Sequence, residues 1–162
     1  MNAFYIACSS FVGQNYGAGK PRRVMKSYLL TLAFSALAAE FLGCLFFLFG
    51  HEFLSLFTSE APVIEAGLER IRVMCFVFPL SGLMDCTTAA SRGLGKGLVP
   101  MIFVFLGSCV FRVIWIYTVF AYFHTVPSLY LLYIFSWVIT GIAECIYFRY
   151  AYKKFVLKAQ VW

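Results

Sequence analysis

Ser27-Tyr-Leu-Leu-Thr-Leu-Ala-Phe-Ser-Ala-Leu-Ala-Ala-Glu-Phe-Leu-Gly-Cys-Leu-Phe-Phe-Leu-Phe-Gly50 is a stretch of 24 residues with one charge, Glu40. As a helix it is about 36 Å long at about 1.5 Å per residue, and a bilayer's hydrocarbon core is about 30 Å thick. Three further runs read the same way. Val73–Ser91 holds only Asp85, Leu98–Phe123 only Arg112, and Val126–Phe148 only Glu144. Backbone groups in lipid must bond within their own segment, and runs of this length suit helices rather than barrel strands. The expected fold is therefore all-α: a polytopic transmembrane bundle forming one domain over residues 1–162. Its spans are expected at about 27–50, 70–91, 98–123 and 126–149.

Composition agrees. Of 162 residues, 62% are hydrophobic and 12% charged, and mean hydropathy is +0.86. A soluble domain is about half apolar and about a quarter charged. A globule of this size could not hide so much apolar side chain from water. A water-soluble enzyme or nucleic-acid-binding domain is thereby disfavoured, although net charge is +6. The basic residues instead sort by side. Lys20, Arg22, Arg23 and Lys26 precede the first span, Arg92 and Lys96 separate the second and third, and Arg149, Lys153, Lys154 and Lys158 follow the fourth. Alternating crossings put all ten on one face, which the positive-inside rule makes cytoplasmic, with the C-terminus. The loop His51–Arg72, with Glu52, Glu60, Glu65 and Glu69, is then external. In that loop Ser59 is the expected N-cap of a helix with Pro62 in its first turn, and the helix extends the second span outward. Pro79 should bend that span.

Met1–Val12 is apolar and uncharged, but at about 18 Å it is too short to cross. It reads as the end of a partial helix, with a short interfacial helix as the alternative. No basic stretch precedes it, so it is not a signal peptide. The six cysteines fall singly, with no CxxC pair and no His/Cys cluster, and read as small packing residues rather than metal ligands or disulfides. No metal, cofactor or enzymatic motif is expected, and His51 and His124 sit at span ends.

Phe11-Val-Gly-Gln-Asn-Tyr-Gly-Ala-Gly-Lys-Pro-Arg-Arg23 ends the partial helix. Gly13 and Gly17, four apart, let two backbones approach, and Gly19 can take a left-handed stop before headgroup-bound Lys20, Arg22 and Arg23. Gln14 and Asn15 are expected to cap the helix end. The string is not a P-loop, because Gln14 stands where Gly is needed and Pro21 where Ser or Thr is needed. It resembles the Gly-Gln-x-x-Gly-Ala-Gly-Lys motif of multidrug and toxic compound extrusion (MATE) transporters. Four more stretches share the resemblance: Phe78-Pro79-Leu80 with Gly82-Leu83-Met84; Ala90-Ser91-Arg92-Gly93-Leu94-Gly95-Lys96-Gly97 with Val99-Pro100-Met101; Cys109-Val110-Phe111-Arg112; and Phe57-Thr58-Ser59-Glu60 with Val63-Ile64.

The resemblance implies two pseudosymmetric six-helix bundles, of which this chain matches helices eight to twelve. It then looks like a C-terminal fragment whose Met1 is an internal methionine, lacking the N-terminal half as partner. The implied activity is efflux of organic cations, drugs or other xenobiotics, coupled to Na+ or H+, by alternating access in the plasma membrane. A lipid-linked sugar flippase of the same superfamily and a non-transporting membrane scaffold are the alternatives.

Charges inside spans need a partner or a wet cavity. Glu40 and Arg112 each lie about 21 Å from the basic end and have opposite sign, so they are expected to pair, as a fixed bridge or in transport. Ser81 and Asp85 are one turn apart on one face. MATE-like proteins often carry a cation-binding acidic residue in the corresponding helix, and alignment through Arg92-Gly93 places it nearer Ser81. Asp85 and Ser81 are thus the cation or substrate candidates, with a kink cap or a pair to a cytoplasmic Lys as the other roles for Asp85. Glu144, about 7 Å from the basic end, is expected to snorkel to the headgroups.

Overall fold

The computed structural model describes residues 2–123 and 126–157. His124 and Lys158 lie outside them, as does part of the connection at His124–Pro127. The described residues form helices α1 (Asn2–Gly17), α2 (Pro21–Leu48), α3 (Gly50–Ser55), α4 (Ala61–Met74), α5 (Phe78–Gly93), α6 (Leu98–Phe105), α7 (Phe111–Trp115), α8 (Ala121–Phe123) and α9 (Val126–Ala151). Wider π-helical turns at Leu106–Val110 and Ile116–Phe120 join α6, α7 and α8, and another, Tyr152–Leu157, extends α9. Among the described residues three helices are long and apolar enough to cross a membrane: Pro21–Leu48, Leu98–Phe120 and Ser128–Leu157. A fourth crossing is available as α4 plus α5, which meet at 56° across Cys75–Val77.

That bend lies just ahead of Pro79. Proline lacks an amide hydrogen and tolerates a first helical turn, so Pro79 starts α5 rather than kinking its middle. At the start of α4, Glu60 takes the cap position, not Ser59, and Thr58 Oγ1 accepts from the Glu60 amide at 3.2 Å. Ser59 has no room for the role because the helix begins one residue later, at Ala61.

The helices are packed with their small and hydroxylated faces inward. The buried stripe of α2 is Val24, Tyr28, Thr31, Ser35, Ala39 and Gly43. The inward positions of α9 repeat every fourth residue: Ser128, Leu132, Ser136, Thr140, Glu144 and Phe148. The outward positions of α2 are Phe34, Leu37 and Phe41, each 60% exposed or more. Water would reject such a surface, whereas lipid is as apolar as leucine and leaves helix association to close packing and interhelical hydrogen bonds. α1 is no interfacial helix. It lies in the bundle against α5 and α2, with Cys8 and Val12 fully buried.

Candidate functional site

The motif glycines meet at the basic end. A Cβ on Gly13 would lie 3.3 Å from Gly93 O, and one on Gly93 would lie 2.7 Å from Ser9 O. α1 and α5 therefore touch backbone to backbone. Gly17 has open space around it, so the close approach uses Gly13 and not the Gly13/Gly17 pair. Gly19 has φ +66 and Gly95 φ +72, and the two stops share one hydrogen-bond pattern. The amides of Lys20 and Lys96 reach back five residues, to Asn15 O and Ser91 O, each at 3.0 Å. This is the wrapped helix end that a left-handed glycine permits. Gln14 and Asn15 do not cap it. Gln14 Nε2 donates to Ser10 Oγ, and Asn15 Nδ2 donates to Phe11 O at 2.8 Å and to Ser27 Oγ at 3.2 Å. The backbone closes the stop by itself, so those amides are released for contacts along α1 and across to α2. Arg92 lies 5.8 Å from the Tyr5 ring, and Tyr152 Oη donates to Pro21 O at 3.0 Å.

Inside this end α5 carries two consecutive threonines. Thr87 Oγ1 donates to Leu83 O at 2.7 Å, one turn back on its own helix. Tyr28 Oη of α2 is 2.9 Å from the same Thr87 oxygen. Thr88 Oγ1 is 3.0 Å from Met84 O and within hydrogen-bond reach of Glu144 Oε2 on α9. Glu144 does not snorkel: it is fully buried. The α9 face that carries it turns onto Thr88, away from the headgroups. Among the described residues Glu144 Oε1, Thr140 Oγ1 and Ser91 Oγ are buried with no hydrogen-bond partner.

Glu40 and Arg112 form no ion pair. Arg112 stands 4.5 Å over the Tyr133 ring, and its Nε donates to Ser136 Oγ at 3.4 Å. Ser136 Oγ in turn donates to Gly107 O at 2.7 Å. Glu40 lines a small hollow with Cys44, Phe47 and Cys75. Equal depth placed the two at one level but said nothing of azimuth, and their helices present them to different neighbours. Asp85 and Ser81 share the face of α5 expected for them. Ser81 Oγ donates to Phe78 O at 2.8 Å, and among the described residues no hydrogen bond or ion pair holds Asp85.

Toward the other end, a hollow of about 420 Å³ opens beside the α4/α5 bend. Phe46, Phe53, Phe78, Tyr133 and Trp137 supply its ring surface and Arg70 its charge. Gly43 of α2 admits the bend, since a Cβ there would sit 2.9 Å from Cys75 O. Among the described residues no cluster of His, Cys, Asp or Glu could hold a metal ion, and all six cysteines are free thiols. Reading by residue class overlooked the Thr87–Thr88 seam. Its signal was present in α9 as hydroxyls and one acid at four-residue spacing.

Comparison with known proteins supplies the family. The MatE family model matches residues 1–118. The fold superimposes on a structure described as the inward-facing conformation of a multidrug resistance MATE family transporter of the MOP superfamily. The TM-score is 0.78 at 19% identity, covering 92% of this chain and 35% of that one. No curated protein matches the chain. With its all-helical bundle and its membrane-length apolar helices, the chain belongs to the MatE family.

Proposed function

We propose that the chain serves in secondary active efflux: export of organic cations or other xenobiotics, coupled to Na+ or H+, by alternating access. The observation that carries this reading is the bent α4/α5 pair beside a ring-lined hollow. Broken helices in transporters mark places where backbone and side chains line a cavity rather than lipid. Ring faces attract flat cations, at about 0.5–2 kcal/mol each depending on desolvation. A hollow of about 420 Å³ is within the usual size of small-molecule pockets. Arg70 at its lining and Arg112 over the Tyr133 ring both repel a cation, so the charge of a bound cation would lie toward Trp137 and Phe78.

The structural relative is longer, and this chain spans 35% of it. Rocking of one bundle against a second therefore requires helices beyond these residues, supplied in one reading frame or by a second chain. The test is ethidium efflux from cells stripped of their own exporters. They would express the chain joined to, or together with, an N-terminal six-helix bundle of the family, with Na+ and pH varied separately. Efflux that follows one cation gradient and falls in Trp137→Ala supports the reading. Efflux indifferent to both gradients contradicts it.

A further inference from the structure

The Thr87–Thr88 seam poses a question of hydrogen count. Each threonine has one hydroxyl hydrogen. Thr87 directs its hydrogen at Leu83 O, which leaves its oxygen to accept from the Tyr28 phenol. Thr88 stands in the same relation to Met84 O on one side and Glu144 Oε2 on the other. If Glu144 is ionised, the one hydrogen of Thr88 serves either Met84 O or Oε2. Oε1 is then an anionic oxygen in the interior with no partner among the described residues. An unpaired ion in the interior is strongly unfavourable. If Glu144 is neutral, its carboxyl hydrogen goes to Thr88 Oγ1, the hydrogen of Thr88 goes to Met84 O, and the remaining oxygen is an uncharged carbonyl.

Two idle hydroxyls point the same way. Thr140 is one turn before Glu144 on α9, and Ser91 is one turn beyond Thr88 on α5, and both hydroxyl oxygens are buried without partners among the described residues. An ionised carboxylate one turn along α9 would recruit the Thr140 hydroxyl. Other ionisable groups around Glu144 are Asp85 and Arg92 on α5, Tyr5 on α1 and Cys145 beside it on α9. Arg92 forms no ion pair with it among the described residues. α6 carries no charge between Leu98 and Phe105. Arg112 on α7 is held at Ser136 and Tyr133, and Arg70 on α4 lines the hollow beside Trp137, each about two turns of α9 away.

We propose that Glu144 is a proton-carrying site that latches α9 to α5. Its neutral carboxyl donates to Thr88; loss of the proton leaves a buried carboxylate whose Oε1 has no partner among the described residues, and that charge loosens the seam. The cation is H+ rather than Na+, because a metal ion wants several oxygens converging on it. Here one carboxylate oxygen and one committed hydroxyl converge. The protonation itself does not depend on the efflux reading, which enters only if the latch serves coupling.

The test uses the chain in zwitterionic lipid nanodiscs. Difference infrared spectroscopy should find a carboxylic-acid carbonyl band at neutral pH that disappears in Glu144→Gln and persists in Asp85→Asn. Thr88→Val should keep the band but shift it to higher wavenumber, because the donated hydrogen bond is gone. Saturating Na+ at fixed pH should leave it unchanged. Gln keeps a donor and the side-chain volume, so Glu144→Gln should also keep the seam closed. With Cys145 as the sole cysteine, its alkylation relative to the Glu144→Gln form should rise severalfold as pH rises, since Cys145 Sγ lies at the seam, 3.9 Å from Thr87 Oγ1. A spectrum with no acid band at neutral pH, a band that Glu144→Gln leaves intact, or a band abolished by Na+ overturns the proposal.

Discussion

Glycines at the two ends of the bundle face different things. At the basic end Gly13 and Gly93 meet backbone: each other's helix and Ser9 O. At the opposite end Gly50 and Gly67 meet the tips of Leu68 and Leu54, at 3.0 and 2.8 Å. Backbone cannot step aside, whereas a leucine tip can rotate. At the basic end α1 and α5 are therefore held as a fixed joint. Apart from the approach of Gly43 to Cys75 O, the end with α3 and α4 is joined by side chains that can rearrange around the hollow. The proposed efflux would use both properties, a joint that holds register and a region that can change shape.

The sharpest way to break this contrast is Gly93→Ala. Overpacking a close contact costs about 1–3 kcal/mol, and here it should lower the thermal stability of the detergent-solubilised chain. Gly67→Ala, with a comparably short contact but to a leucine tip, should lose much less. Equal losses would erase the distinction. Next come Gly19→Ala and Gly95→Ala. A left-handed conformation costs an L-residue about 1–2 kcal/mol, so each should shift the unfolding midpoint by a similar amount, because the two stops are built alike. A difference between them would show that one stop is held by more than its own backbone.

The Gly19 stop and the overall fold were legible for related reasons. Lipid requires long apolar runs, and a left-handed stop requires glycine, so Ser27–Gly50 and Gly19 each carry their meaning in residue type alone. The candidate site was harder. Glu40 and Arg112 matched in depth, but helix rotation is set by which face packs inward, and α2 turns Ser35 and Ala39 inward rather than Glu40. Glu144 looked like an interfacial acid by its distance from Arg149. Its burial follows from the Ser136–Thr140–Glu144 stripe, a pattern that appears only when hydroxyls are counted with the acid. In lipid, small and polar residues mark the inside, the reverse of the soluble rule.

Smaller effects refine the seam. Tyr28→Phe removes one interhelical hydrogen bond, and such bonds average about 0.6 kcal/mol in membrane proteins. A slight loss of stability in detergent unfolding should follow, with the fold kept. Leu37→Ala, on the outward face of α2, should change stability by less than about 0.5 kcal/mol. A loss well above that would mean Leu37 is packed rather than solvated by lipid.

The claim under all of this is that hydroxyls and small residues point inward while leucine and phenylalanine meet lipid. Spin labels placed singly along α2 and α9 of the chain in lipid bilayers test it directly. Labels at Leu37, Phe41, Ile139 and Ile146 should collide freely with dissolved oxygen and little with a water-soluble nickel complex. Labels at Ser35, Ala39, Ser136 and Thr140 should be immobilised and shielded from both. Oxygen accessibility that peaks at Ser35 and Ser136 instead, or that shows no helical period, would contradict the account.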